Sequence, residues 1–233
     1  MLYAIAHDLQ APLNSLASHT RTLQGGKTIK DAEAREAVDE IGALADRMQR
    51  MLDGILQVAT AGGGADEREM TAMDDVLEDA LNNLHSEIEQ AGATLERQPL
   101  PSLRINRGQL TQVIQNLLAN AVKFRGDRIP RVYVYAEETP EALRLVVEDN
   151  GIGIEARDVE RIFGMFQRLH TEREYPGLGV GLALCRRIIR AHGGELSVDS
   201  RPGRGSKFIM TFPASAWPTL RPANDGPHGG KAE

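Results

Sequence analysis

The hydrophobic pattern divides the chain in two. From Val38 onward, apolar residues fall at Val38, Ile41, Ala45, Met48, Leu52, Ile55 and Ala59, with Asp39, Glu40, Asp46, Arg47, Arg50 and Asp53 between them. Steps that alternate three and four keep apolar side chains on one narrow stripe of a helix, the seam of a bundle. The segment before it repeats the pattern at Leu2, Ile5, Leu9, Leu13, Leu16, Thr20 and Leu23, then stops at Gly25-Gly26, a pair suited to a helix end. Together they predict an antiparallel helical hairpin. Two helices bury too little surface to stand alone. The stripes therefore need either a second copy of the chain, completing a dimeric four-helix bundle, or the remainder of the same chain.

Gly62-Gly63-Gly64 breaks the second helix and reads as a flexible hinge. Beyond it the periodicity turns to mixed helix and strand. Asp74 is placed to cap a helix whose apolar positions are Val76, Leu77, Ala80, Leu81, Leu84 and Ile88. A short strand is expected at Leu103 to Ile105, a helix from Leu110 to Phe124, paired strands over 131–137 and 142–148, and a helix over 183–191. Residues 196–200 and 207–212 read as a closing hairpin turned by Pro202-Gly203-Arg204-Gly205. The last stretch, rich in Pro, Gly, Asn and Ala and carrying Trp217, is expected to be a disordered tail. The predicted organisation is α+β: a hairpin over 1–61, a hinge over 62–68, an α/β domain over 69–213 and a tail over 214–233.

Composition narrows the classes. A length of 233 residues suits one or two domains, and 41% hydrophobic with 26% charged residues is that of a globular chain. One cysteine excludes an intrachain disulfide and argues against a cysteine-built zinc site. Aromatics are 4%, so the core falls to Leu, Ile, Val, Ala and Met. A formal charge of -6 gives no basic field to attract nucleic acid or anionic lipid. No apolar run approaches the roughly 18 residues of a membrane span, and the N-terminus lacks the pattern of a secretory signal. The expectation is a cytoplasmic chain with no nucleic-acid partner and no transmembrane segment.

Five strings carry chemistry. In His7-Asp8-Leu9-Gln10-Ala11-Pro12-Leu13 a histidine with an adjacent acid lies beside the apolar seam. Neutral imidazole is a nucleophile near pH 7, and Pro12 bends the helix just beyond it. In Gln115-Asn116-Leu117-Leu118-Ala119-Asn120-Ala121-Val122-Lys123-Phe124, two asparagines at i and i+4 share one helix face and Lys123 follows. Carboxamide oxygens suit a hard cation, and lysine suits phosphate. Asp149-Asn150-Gly151-Ile152-Gly153-Ile154 sets an acid at a strand end before a glycine-spaced turn. Gly177-Leu178-Gly179-Val180-Gly181-Leu182 leads into a helix, where backbone amides can approach phosphate. Between these two lies Arg161-Ile162-Phe163-Gly164-Met165-Phe166-Gln167-Arg168-Leu169. The other histidines, His19, His85, His170, His192 and His228, show no ligand spacing and are assigned no role; Cys185 reads as an ordinary helix residue.

In this order the strings resemble the H box, N box, first glycine box, F box and second glycine box of sensor histidine kinase transmitter cores. The wording His-Asp-Leu-Gln, Phe-Gln-Arg-Leu-His and Gly-Leu-Ala-Leu-Cys is most similar to phytochrome-type kinases. The resemblance spans residues 1–213. It implies a dimerisation and phosphoacceptor hairpin followed by an α/β sandwich ATP-binding domain of the Bergerat type. His7 would accept phosphate, with Asp8 orienting it. Asn116 and Asn120 would hold Mg2+, and Lys123 would meet the ATP phosphates. Asp149 would receive the adenine amino group, Gly151 and Gly153 would let the chain pass close to the base, and Arg168 would reach the γ-phosphate. Gly177, Gly179 and Gly181 would anchor a lid over the triphosphate. The implied partners are a second copy of the chain and a response regulator receiver domain.

Two alternatives share these strings: a nucleotide-binding scaffold that no longer transfers phosphate, and an ATPase of the chaperone or topoisomerase kind. The ATPases of this superfamily that use water carry a glutamate four residues before the metal asparagine. Asn116 stands there and is a poor base, which favours transfer to His7. Asn106 stands where many relatives carry aspartate. Only six residues precede His7, so the chain reads as a transmitter core without its input. Ala11 stands one turn after His7, where kinases with phosphatase activity often carry Thr or Asn. Alanine positions no water, so phosphatase activity toward a phosphorylated cognate receiver is expected to be weak; in an incubation without ATP, rapid dephosphorylation beyond the receiver's own rate contradicts the expectation.

Overall fold

The computed structural model describes residues 13–23, 32–61, 63, 67–139, 141–171 and 174–213. His7, Asp8, Ala11, Gly62, Gly64 and the tail from residue 214 lie outside them. The described part of the N-terminal region is helical. Helix α1 covers residues 13–23 and α2 covers Ala32–Thr60. Leu13 packs against Leu52, with Ile55 and Leu56 alongside, while Arg21 lies 3.4 Å from Asp46 nearer the other end. Rising numbers in α1 thus meet falling numbers in α2, which makes the hairpin antiparallel. Leu13, Ala17, Ala45 and Leu52 are buried, whereas Leu16, Leu23, Ile41, Leu44 and Met48 remain exposed on the hairpin.

The second unit is a two-layer sandwich. Its strands are β1 (Glu69–Ala72), β2 (Thr94–Arg97), β3 (Ser102–Ile105), β4 (Arg131–Glu138), β5 (Ala142–Asp149), β6 (Glu195–Arg201) and β7 (Gly205–Pro213). Its helices are α3 (Met73–Asn83), α4 (His85–Ala91), α5 (Arg107–Lys123) and α6 (Gly181–Ala191). Five strands make one mixed sheet in the order β2-β4-β5-β7-β6, and β1 pairs with β3 apart from it. Only β2 and β4 run parallel; the other pairs are antiparallel. Register puts Val134, Val147 and Phe208 in one cross-strand row and Leu145, Met210 and Leu196 in the next, all on one face. The apolar stripes of α3, α5 and α6 close over that face in a single core. On the opposite face Tyr133 and Tyr135 stack at 4.8 Å. Among the described residues no helix is long and apolar enough to cross a membrane.

Several elements depart from the sequence expectation. The helix expected to run through Ile88 breaks at Leu84 (φ -108°, ψ 12°), after Asn82-Asn83, and restarts as α4; asparagines are weak helix formers. Asp74 does not cap α3. The helix begins one residue earlier without a side-chain cap, and Asp74 accepts instead from the Leu100 amide at 3.2 Å. The second glycine string leads into its helix as expected: Gly181 opens α6, while Gly177 and Gly179 precede it with positive φ.

The end of α2 is tied to the sandwich. Val58 belongs to the sandwich core. The Arg187 guanidinium donates to the carbonyls of Ala59 and Ala61, both at 2.9 Å, and Gln109 donates to the Gly63 carbonyl at 2.8 Å. Terminal carbonyls of a helix lack intrahelical partners, so Arg187 caps α2 from α6. The hairpin therefore leans on its own chain at one end and leaves apolar side chains unpaired elsewhere.

Asn106 receives a structural explanation. Its side chain accepts from Gln109 at 3.0 Å, capping α5, and donates to Glu67 at 3.0 Å. Aspartate would cap equally well but would repel Glu67. The Asn106 amide donates to His192 Nε2 at 3.1 Å, and His192 Nδ1 lies 2.8 Å from the Ile188 carbonyl. That geometry requires a neutral ring carrying its proton on Nδ1. Burial holds the His192 pKa below its ordinary value, partly opposed by the Ile188 carbonyl and aided by the Arg68 charge. Below about pH 6.5 the unfolded chain takes up a proton that the folded chain refuses, so stability falls with pH until the folded ring also titrates. Urea midpoints measured from about pH 7.5 down to about pH 5.5 are expected to drop in the native sequence and to drop less in His192→Gln.

Candidate functional site

Helix α5 carries two stripes. Leu110, Val113, Ile114, Leu117, Leu118 and Ala121 are buried against the sheet. Asn116, Asn120 and Lys123, at i, i+4 and i+7, share the adjoining face and line a cavity of about 480 Å³. The carboxamides thus avoid the apolar core. The same cavity is lined by Asp149, Gly153, Arg168, Gly177, Gly179 and Gly181. Four strings far apart in sequence meet in one place. Gly151 does not line the cavity; it is buried in the turn beneath Asp149.

Asp149 ends β5 with its carboxylate held in place. Oδ1 accepts from the backbone amides of Gly151 at 2.8 Å and Ser206 at 3.2 Å. Among the described residues Oδ2 receives no hydrogen bond. Burial raises the Asp149 pKa; the two amides pull it back and Glu148 adds a smaller push upward. The turn after it has no room for side chains. A Cβ on Gly151 would lie 2.5 Å from the Phe124 carbonyl oxygen. One on Gly153 (φ +74°) would collide with the Arg201 carbonyl.

The other end of the cavity is cationic. Lys123 is half-buried, its ammonium 4.7 Å from the Phe124 ring centroid. Burial lowers its pKa, and the like charge of Arg168 lowers it further. Two cations held near one another in a partly dry cleft make a place for an anion. Arg168 donates to the Tyr175 carbonyl at 3.0 Å. Gly177 passes so close to Lys123 that a Cβ there would sit 3.0 Å from the ammonium nitrogen. Gly179 (φ +72°) lies against the Gln167 carbonyl oxygen at 2.6 Å from its Cβ position. Gly181 starts α6 with its Cβ position 3.2 Å from Asn116 Oδ1, so the positive end of α6 faces the asparagines.

Sequence reading missed part of the lining. Ser206, between the expected turn and its strand, has no assigned role in the sequence reading, yet it lines the cavity and supplies an amide to Asp149, while Gly205 (φ +88°) of that turn packs on the Asp149 carbonyl. His170 and Tyr175 also line the cavity. Tyr175 packs 4.8 Å from Phe124 and 5.1 Å from His170 between ring centroids. The signal available was an aromatic on each side of the polar stretch before Gly177. Cys185 is fully buried, its thiol pushed up to about 12 by burial, and is inert. Among the described residues no cluster of His, Cys, Asp and Glu could hold a metal.

Ionised Asp149 is a cost to the empty fold, since folding raises its pKa and stability falls as pH rises through the carboxylate range. Asp149→Asn keeps an acceptor for both amides without the charge. Thermal denaturation at neutral pH is expected to give an equal or higher midpoint for Asp149→Asn, while titration with ATP shows affinity at least about tenfold weaker. A variant that melts much lower, or binds ATP as before, contradicts the assignment.

Residues 105–216 match the histidine kinase-, DNA gyrase B- and HSP90-like ATPase family. Residues 1–64 match the His Kinase A (phospho-acceptor) domain. The chain is 38% identical over 212 residues to the phytochrome-like protein Cph1 of Synechocystis sp., covering 91% of this chain and 28% of that protein. It is 33% identical to the adaptive-response sensory kinase SasA of a Synechococcus strain, covering 91% of this chain and 58% of the relative. The crystal structure of full-length ShkA in complex with AMPPNP superposes with a TM-score of 0.64 at 26% identity, covering 91% of this chain and 45% of the other. The chain thus spans between about a quarter and three fifths of the curated relatives named. An asparagine helix, a partly buried acid at a glycine turn and a second glycine string around one cavity, joined to a helical hairpin that matches a phosphoacceptor domain, place this chain in the sensor histidine kinase family, as a transmitter core with an ATP-binding domain.

Proposed function

We propose that the chain is an ATP-dependent protein-histidine kinase that phosphorylates its own His7 and passes the phosphoryl group to an aspartate of a response regulator receiver domain. The observation that carries this reading is the convergence of Asn116, Asn120, Lys123 and Asp149 on one cavity beside the positive end of α6. Asp149 receives the adenine amino group through the carboxylate oxygen its backbone partners leave open. Lys123 and Arg168 meet the phosphates, which relieves the repulsion between them. Gly177, Gly179 and Gly181 allow the backbone to close on the triphosphate. Asn116 and Asn120 fit magnesium, which takes neutral oxygen ligands and keeps water and phosphate oxygens as the rest of its shell; bound there, it would neutralise charge on the β- and γ-phosphates.

Phosphoryl transfer needs positioning and charge neutralisation above all. A ring nitrogen of His7 attacks the γ-phosphorus, the bond to the ADP oxygen breaks, and Asp8 takes up the ring proton. Asn116 offers no base to activate water in competition. The organisation that serves this is a phosphoacceptor hairpin over 1–61, a hinge over 62–68, a catalytic domain over 69–213 and a tail beyond, in the cytoplasm where ATP is supplied. The exposed Leu16, Leu23, Ile41, Leu44 and Met48 are the face for a second copy, completing a four-helix bundle. Swinging the catalytic domain toward His7 would break the two bonds from Arg187 to the end of α2.

Incubation of the chain with ATP labelled on its γ-phosphate is expected to give an acid-labile, alkali-stable phosphoprotein. Label is expected to vanish in His7→Gln and to fall by at least about a hundredfold in Asn120→Ala. Label that survives His7→Gln overturns the reading, and tight nucleotide binding with no label in the native sequence turns it to a scaffold.

A further inference from the structure

The Asp149 carboxylate is held through two backbone amides, and one exposed side chain bonds to both segments that carry them. Arg128 lies in the loop between α5 and β4 and takes no part in the apolar core. Its Nη1 donates to the carbonyl of Asn150 at 3.0 Å and, more weakly, to that of Gly151 at 3.4 Å. Its Nη2 donates to the carbonyl of Gly203 at 2.9 Å. The Asn150 carbonyl and the Gly151 amide belong to one planar peptide unit, so anchoring the oxygen fixes the N–H that points at Asp149 Oδ1. Gly203 sits in the hairpin turn that leads to Ser206, whose amide is the second donor to the same oxygen. The Gly203 amide in turn donates to the Ile152 carbonyl at 2.7 Å, which ties that hairpin to the glycine turn.

The loop bearing Arg128 is fastened at its far side. Asn150 donates to the Ile129 carbonyl at 3.0 Å and accepts from the Arg131 amide at 2.8 Å. Arg128 is therefore not a loose surface cation. Its planar fork spans two segments from a loop that is itself bound to one of them. Lysine carries the charge but cannot span two directions in one plane.

We propose that Arg128 is a positioning residue for purine recognition. It aligns the two amides that orient Asp149, so that the free carboxylate oxygen meets an exocyclic amino group on the base. The proposal rests on the reading of Asp149 given above. ATP and inosine triphosphate separate the two, because inosine carries a carbonyl where adenine carries the amino group.

The test is competition of each nucleotide against a fluorescent ATP analogue on the full chain, in the native sequence and in Arg128→Lys, Arg128→Gln and Asp149→Asn. The native chain is expected to prefer ATP strongly. Both Arg128 variants are expected to lose that preference by about tenfold or more, through weaker ATP binding with inosine triphosphate little changed, and Arg128→Lys less than Arg128→Gln. Equal weakening of both nucleotides would mean general damage to the pocket and would overturn the proposal, as would an unchanged preference. If Arg128→Gln fails to fold, Arg128→Lys decides alone, since it keeps the stem and the charge. Loss of preference in Asp149→Asn but not in the Arg128 variants refutes the positioning role only. An unaltered preference in Asp149→Asn refutes the reading of Asp149, and the proposal with it.

Discussion

A carboxylate held in a largely dry pocket organises the ATP-binding domain. Taking Asp149 out of water disfavours its charge, and the raised pKa records that cost. The two amides on Oδ1 offset part of it. To deliver them, the chain must turn back on itself twice, once at Gly151 and once through the hairpin that brings Gly205 and Ser206 alongside. Both turns press backbone onto backbone. Gly151 sits against the Phe124 carbonyl, Gly153 against the Arg201 carbonyl and Gly205 against the Asp149 carbonyl. The glycine spacing is thus the steric consequence of bringing two amide donors to one partly buried acid.

The cationic end follows a matching logic. Lys123 is kept partly dry beside Arg168, and both effects press its pKa downward. The like charge of Arg168 adds to the cost of burying Lys123, and an anion beside the two would offset it. A partly buried acid at one end and two cations at the other give the cavity a polarity. That polarity matches the orientation proposed above, with the base at Asp149 and the phosphates at Lys123 and Arg168.

How much of this was legible in sequence depended on how far the relevant contact reached. The stripe Leu110, Val113, Ile114, Leu117 records the packing of one helix on one sheet and can be read locally. The alternation in 131–138 and 142–149 records a hairpin and can also be read locally. Strands β1 and β2 have four residues each and little alternation, and only their partners make them strands. The asparagines, Asp149 and the glycines were recognisable because their chemistry demands particular residue types. Ser206 was not, because any residue but proline offers an amide. Arg128 gave no sequence signal, since its role lies in carbonyls of residues 150, 151 and 203 brought together by the fold. Asn106 shows the reverse: the substitution was visible in sequence, but its cause, the neighbouring Glu67, was not.

The second glycine string links the pocket to the helical hairpin. Gly179 and Gly181 line the cavity, and Val180 between them touches α2, its side chain 2.9 Å from where a Cβ on Gly54 would lie. Only glycine at position 54 lets Val180 approach so closely without displacement. Two turns along α6, Arg187 caps the end of α2. One short segment therefore has cavity-lining glycines on one side and the hairpin on the other. The cavity wall and the packing of α2 on the sandwich are built on the same residues. They share Val180 as their common packing element, and Gly54 sets how tightly the two are joined.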